Sequence, residues 1–165
     1  MILAKRKGIK GYLSDQKVKK EYYINNRKLL NLKNNPIHVM SLFSGCGGFC
    51  VGAKLAGLNV ISTLDNNEDC VNTLKSNQIF ENCHHFHEDI NKISKKDFKI
   101  ILKKNKTKKF IITAGPPCQP FSKAAYWITN KKRLKDKDPR NLFPSLFKVI
   151  KNLKPDGFVI ENVES

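Results

Sequence analysis

No apolar run in the sequence approaches the roughly 20 residues that a membrane-spanning helix needs, so no span is expected. An even, regularly spaced cysteine set is also lacking. Cys46, Cys50, Cys70, Cys83 and Cys118 make five at irregular spacing, which suits a reduced cytosolic protein better than a disulfide scaffold. The opening Met-Ile-Leu-Ala meets Lys-Arg-Lys with no apolar stretch behind it, so no signal peptide is expected. Acids are scarce, 14 Asp and Glu against 31 Lys and Arg, which leaves +17 on 165 residues. A surplus of that size is silent about fold but favours a polyanionic partner such as nucleic acid or an anionic membrane. Hydrophobic residues make up 40%, enough for one core in a chain too short for two ordinary domains. Internal repeats are absent. Secreted, membrane-spanning, collagenous and wholly disordered classes are set aside.

The positive charge is uneven. Residues 1–35 carry ten Lys and Arg against Asp15 and Glu21, nearly half the excess in about a fifth of the length. Residues 1–36 are read as a basic leader, with a helix expected around 15–31 and Pro36 closing the segment. Its lysines suit contacts to phosphates and equally suit a solvated leader. From Ile37 the pattern changes to short β-branched runs alternating with helix-length stretches. Strands are expected at 38–43, 60–64, 84–87, 110–114 and 158–161, and helices at 50–56, 68–77, 95–103 and 142–151. Such alternation implies right-handed βαβ crossovers, a parallel sheet and an α/β, Rossmann-like fold with helices on both faces. The runs KFIITA and GFVIEN read as strands buried on both faces. The sequence stops just past a strand, so 37–165 is expected to be the N-terminal portion of a larger domain.

Leu42-Phe43-Ser44-Gly45-Cys46-Gly47-Gly48-Phe49 joins the first expected strand to the first helix. Its glycines allow a sharp turn and close approach of backbone to a ligand. No Lys-Ser/Thr pair follows, which excludes a P-loop, and the spacing departs from the dinucleotide pattern GxGxxG. Asp65 closes the second strand about twenty residues on, where an acid accepts hydrogen bonds from ribose hydroxyls. Asp89 follows the third strand, placed to accept from an adenine amino group. Together they point to a nucleoside-containing cofactor, and the missing triphosphate and dinucleotide spacings turn the reading toward S-adenosylmethionine.

Ala114-Gly115-Pro116-Pro117-Cys118-Gln119-Pro120-Phe121-Ser122 follows another apolar strand. Its prolines forbid helix and stiffen the turn that presents Cys118. A thiol is a strong nucleophile once ionised, and a nearby positive field favours the thiolate. Glu161-Asn162-Val163 ends the last apolar run. A carboxylate there is expected to be desolvated and raised in pKa, fit to donate a proton near neutrality. Cys83, His84, His85 and His87, with Cys70, invite a metal reading. Their spacing matches no paired zinc pattern and alternate strand residues face opposite ways, so no metal is expected.

With LFSGCGGF, GPPCQPFS, DPRNL and ENV in this order, the sequence from His38 to Ser165 resembles the N-terminal part of the catalytic domain of C5-cytosine DNA methyltransferases. The resemblance implies that Cys118 attacks cytosine C6, that Glu161 assists at N3, and that the methyl group comes from S-adenosyl-L-methionine. The target base is flipped out of DNA, because nothing reaches it in the stack. The resemblance also places Phe43, Gly45, Gly47, Gly48, Asp65, Asn66, Asp89, Ile90 and Pro116 at the cofactor, and Gln119, Ser122, Arg140 and Asn162 at the substrate. The stretch with Tyr126, Trp127 and Lys131-Lys132-Arg133 resembles a loop that closes over DNA. It implies a cytoplasmic, nucleoid-associated bacterial protein, part of a restriction-modification system.

Asn66 stands where the family often has an apolar or aromatic residue against adenine. The family's later QxRxR motif, its target-recognition region, its last motif and two further strands have no counterpart in this sequence. The expectation is therefore a fragment, or one subunit of a split enzyme completed by a second polypeptide. Two alternatives stand beside it: an inactive truncated remnant or S-adenosylmethionine- or nucleic-acid-binding module, and a C5-cytosine methyltransferase acting on tRNA.

Overall fold

A computed structural model describes residues 37–118, 138 and 140–163. The expected leader helix at 15–31 and the stretch 119–137 lie outside the described residues. Five strands run β1 (Ile37–Leu42), β2 (Asn59–Asp65), β3 (His84–His87), β4 (Lys109–Ala114) and β5 (Gly157–Ile160). The helices are α1 (Gly48–Leu55), α2 (Glu68–Ser76), α3 (Lys95–Lys104) and α4 (Phe143–Leu153), with a 3₁₀ turn at Gln78–Phe80. Every expected strand and helix within 37–163 forms, its ends shifted by no more than two residues.

The sheet is parallel throughout, in the order β3-β2-β1-β4-β5. Parallel neighbours need crossovers, and each crossover carries a helix over one face. Apolar residues split accordingly. Val39, Val60, Cys50, Ala53, Leu74 and Phe80 pack on the α1–α2 side. Met40, Leu42, Leu64, Phe98, Ile112 and Leu146 lead the core on the α3–α4 side. The alternation of Val39 and Met40 between the two clusters is the two-residue period of a strand covered on both faces.

Local chemistry starts and stops these helices. Asn67 caps α2 by accepting from the Cys70 N–H at 3.0 Å, and Glu68 and Asp69 sit in its positive first turn. Ser94 and Asp97 form a reciprocal capping box at α3, with lysines 103 and 104 at its negative end. Pro144 lies in the first turn of α4, where its missing N–H costs nothing. By contrast α1 begins at Gly47 with no side-chain cap, so its first N–H groups remain available to a ligand.

One expectation fails at the sheet edge. The run GFVI is expected to be buried on both faces, yet Phe158 and Val159 are 54% and 51% exposed. The reason is position: β5 pairs only with β4 among the described strands. An open, largely apolar groove of about 560 Å³ runs beside it, lined by Phe49, Ala53, Leu58, Ile111, Thr113 and Val159.

Gly47 is fixed by space as well as by backbone. Its φ is +95°, and a Cβ there meets Leu74 Cδ2 at 2.7 Å and Phe80 Cε2 at 3.3 Å, whereas Gly48 has nothing within 4 Å. Gly47→Ala is therefore expected to destabilise the fold by roughly 2–4 kcal/mol, from left-handed strain plus overpacking. Gly48→Ala at the exposed first turn of α1 should be neutral or slightly stabilising. Urea unfolding of both variants checks the contrast, and equal losses would sink it.

Candidate active site

The strand order sets the site. β1 pairs with β4 along its whole length, Ile37 with Lys109 through Leu42 with Ala114. β1 is also followed by the crossover to β2 on its other side, so the direction of winding reverses between β1 and β4. That switch point is where open α/β sheets bind ligands, outside the carboxyl ends of the strands. Along this edge stand, in spatial order, Asp89 after β3, Asp65 at the end of β2, the glycine turn after β1, Cys118 after β4 and Glu161 after β5.

The glycine turn is held by two neighbours. Buried Ser44 clips the ends of β1 and β2 together: its N–H donates to the Leu64 carbonyl at 3.0 Å. The Ser44 hydroxyl donates to the Ser41 carbonyl at 3.0 Å and accepts from the Leu64 N–H at 3.1 Å. Asp65 holds the next residue, accepting from the Gly45 N–H at 2.7 Å with one oxygen and from the Asn67 N–H at 2.9 Å with the other. Asp65 was expected to face a ribose, and it also ties the turn to the start of α2. A carboxylate has about four acceptor positions, so these two bonds leave capacity for hydroxyls. Phe43 has φ +53°, a left-handed conformation that a bulky residue rarely adopts and that clusters at functional sites.

Phe43, Asp65, Asn66, Asp89 and Ile90 line one pocket with Leu64, Glu88, Pro117 and Leu142. Five of the nine expected cofactor residues thus meet. Gly45, Gly47 and Gly48 form the adjoining turn, and buried Pro116 gives way to its neighbour Pro117 in the wall. At about 60 Å³, the pocket is well under the roughly 300 Å³ of a small-molecule site. Asp89 Oδ1 accepts from the Asn91 N–H at 2.8 Å, and the Asp89 N–H donates to Glu88 Oε1 at 2.9 Å. Leu142, Pro117 and Glu88 were not foreseen. Leu142 is the last residue of the DPRNL run, but only the packing at the start of α4 brings it to the wall.

On the other side of the switch point, the turns after β4 and β5 are joined. The Glu161 N–H donates to the Ala114 carbonyl at 2.9 Å, and Asn162 Nδ2 donates to the Pro116 carbonyl at 3.1 Å. A Cβ built on Gly115 lies 3.6 Å from Phe49 and 3.9 Å from Glu161 Oε2, so the carboxylate lies alongside the backbone three residues before Cys118. Cys118 is half-buried. Glu161 is exposed, not buried as expected, because among the described strands β5 has a neighbour on one side only, β4. Asn162, expected at the substrate, acts here as the tie between the two turns. Gln119, Ser122, Tyr126, Trp127 and Lys131–Arg133 lie outside the described residues.

Arg140 is engaged by Asp138. Its Nε and Nη2 donate to the two carboxylate oxygens at 2.9 and 2.7 Å, and its backbone N–H donates to Oδ1 at 2.9 Å. This two-pronged pairing holds the carboxyl of Asp138 down to about 2. The histidines of β3 go separate ways: His85 Nδ1 meets Thr63 Oγ1 at 2.8 Å, His87 Nε2 meets the Asn66 carbonyl at 3.3 Å, and His84 lies edge-on to Phe86.

A doubly wound parallel sheet with a glycine turn, two strand-end acids and a proline-held cysteine defines a Rossmann-like methyltransferase fold. The family described as C-5 cytosine-specific DNA methylase matches residues 37–165, and the chain belongs to that family. It is 33% identical over 126 residues to the type II methyltransferase M.HindV of Haemophilus influenzae, covering 76% of this chain and 37% of that one. To the type II methyltransferase M.HgiGI of Herpetosiphon aurantiacus it is also 33% identical, over 76% of this chain and 89% of the relative. Among solved structures, an E. coli prophage protein described as a DNA modification methyltransferase superposes with a TM-score of 0.61 at 31% identity, over 78% of this chain and 32% of that one. The chain thus spans about a third of the length of the Haemophilus and E. coli proteins.

The Asp138–Arg140 pair gives the fold a defined acid limb. Because the folded carboxyl is held at about 2 against an ordinary value of about 3.9, its stabilisation is complete above pH 4 and declines as pH falls through 2. Asp138→Asn should flatten the loss of thermal stability between pH 4 and pH 2. Melting curves across that range check this, and an unchanged slope would refute the pairing.

Proposed function

We propose that residues 37–165 are the N-terminal portion of the catalytic domain of a DNA (cytosine-5)-methyltransferase of a restriction-modification system, with residues 1–36 as a basic leader. The observation that carries this reading is the Asn162–Pro116 bond with Glu161 laid against Gly115. It ties the cysteine turn to the carboxylate turn at the switch point, so a thiol and an acid converge on one side of the glycine turn.

In this reading the Cys118 thiolate adds to C6 of a cytosine flipped out of DNA. The S–C6 bond forms as the C5–C6 double bond opens, and Glu161 assists by a hydrogen bond at N3, where negative charge develops. Cytosine C5 thereby becomes a nucleophile. S-adenosyl-L-methionine, when bound, supplies the electrophilic methyl group that this carbon accepts. The C5 proton then passes to water, its electron pair restores the C5–C6 double bond, the S–C6 bond breaks and the Cys118 thiolate is regenerated.

The residues present fit that cofactor. Asp65 has acceptor capacity for ribose hydroxyls, Asp89 accepts from an adenine amino group, and Phe43, Asn66 and Ile90 form the wall. Gly45, Gly47 and Gly48 let the ligand approach the uncapped start of α1. Pro116 sets the direction of the cysteine turn. Arg140, Gln119 and Ser122 serve the substrate side, with Asn162 acting through Pro116. Reading of the DNA sequence falls to further segments or a second polypeptide. The setting is the bacterial cytoplasm, at the nucleoid.

Transfer of radiolabelled methyl to duplex DNA, by this chain together with a polypeptide carrying the later family motifs, tests the proposal. Cys118→Ala should lower the rate at least about 10³-fold, as loss of a nucleophile does. Asn162→Ala should lower kcat by roughly 10- to 100-fold through misplacement of the turn, with cofactor affinity unchanged. Transfer to tRNA in place of DNA would move the activity to RNA. No transfer to either would leave a binding module or an inactive remnant.

A further inference from the structure

Five thiols are present, and the structure sorts them. Cys50 is fully buried, and burial raises its pKa. Burial likewise pushes the Cys83 thiol up to about 12. Neither is a reactive thiol. Cys118 belongs to the proposed chemistry. Cys46 and Cys70 remain, and they touch: Sγ to Sγ is 3.8 Å across 24 residues of sequence. Cys46 is exposed and Cys70 half-buried.

The surroundings make this pair different from a chance contact. Cys46 lies between Gly45 and Gly47, both at positive φ, so its backbone sits in a turn of two glycines. Cys70 sits in the capped first turn of α2, where its own N–H is held by Asn67 Oδ1 at 3.0 Å. One sulfur is on the glycine turn and the other on a capped helix end. Closing from 3.8 Å to the roughly 2.05 Å of a disulfide moves the glycine turn toward α2. The Gly45 N–H, bonded to Asp65 Oδ2 at 2.7 Å, is adjacent to the sulfur that moves.

We propose that Cys46 and Cys70 are a reversible oxidation site whose disulfide straps the glycine turn to α2 and weakens cofactor binding. The oxidant is a hydroperoxide. The exposed Cys46 thiolate attacks one peroxide oxygen, the O–O bond breaks, and a sulfenic acid forms as the other oxygen leaves as water. Cys70 then attacks the Cys46 sulfur; the S–S bond forms, the S–O bond breaks, and the oxygen departs with the Cys70 proton as a second water. Two thiols and one hydrogen peroxide give one disulfide and two waters, and a dithiol reductant reverses the change. Burial first, then the contact with Cys46 and the charges of Asp65 and Asp69, raise the pKa of Cys70, which makes it the slower nucleophile and leaves the first attack to the exposed Cys46. The crosslink stands on geometry alone. Its effect on the cofactor rests on the reading of the glycine turn given above.

The full chain, purified reduced and treated with hydrogen peroxide, is digested without reductant and mapped by mass spectrometry. The expected product joins the peptide holding Cys46 to the peptide holding Cys70, vanishes with dithiothreitol, and is absent from Cys46→Ser and Cys70→Ser. Circular dichroism establishes that each variant is folded. Binding of S-adenosylhomocysteine, measured by calorimetry, should weaken at least about fivefold on oxidation and recover on reduction. Cys70→Ser should keep its reduced affinity after peroxide. No 46–70 crosslink, or one that forms no faster than oxidation of Cys83, overturns the site. A crosslink with unchanged affinity overturns the strap's effect. A crosslink in a chain whose reduced form binds no S-adenosylhomocysteine supports the oxidation site and overturns the cofactor reading instead.

Discussion

Everything at the site depends on the parallel pairing of β1 with β4. Six consecutive register pairs, ending at Leu42 with Ala114, bring two chain segments about seventy residues apart to the same height on the sheet. Backbone hydrogen bonds of that ladder allow no slip, because a one-residue shift would turn Met40, Leu42 and Ile112 out of the core they share. The glycine turn and the cysteine turn therefore emerge side by side. Neither contains the information that it will meet the other.

Around that pairing, single side chains act as ties. Ser44 closes β1 onto β2, and Asp65 reaches back to Gly45 while holding Asn67. Asn162 reaches across to Pro116. Each tie satisfies a backbone group that the end of a parallel strand would otherwise leave without a partner. They also make the loops rigid in the one place where loops are usually free to vary. The exposed edge at β5 is the counterpart of this order. Its two large apolar residues, Phe158 and Val159, face outward beside an apolar groove.

Much of the fold could be read before the structure, and the reason is local. Strands covered on both faces are short continuous apolar runs, and the helices carry capping residues such as Asn67 and Ser94, so element type and position follow from neighbours in sequence. Asp65, Asp89, Cys118 and Glu161 could also be picked out, because each ends or shortly follows an expected strand and so lies at the carboxyl edge of the sheet. The errors were of another kind. Glu161 and the run GFVI, expected to be buried, are largely exposed. Burial and partnership belong to pairs of distant segments, and no periodicity records which strand sits at the edge.

The sequence by itself determined that this is a basic α/β chain with a glycine turn after its first strand, acids after its second and third, and a stiff cysteine turn after its fourth. Those features are set by backbone sterics and by the apolar period, which act over a few residues. Only the tertiary structure decided that Asp65 straps the glycine turn, that Leu142 and Pro117 close the pocket wall, and that Cys46 lies in contact with Cys70. The strand order β3-β2-β1-β4-β5 makes those encounters. It is chosen by the packing of helices on two faces, an interaction that sums over the whole chain.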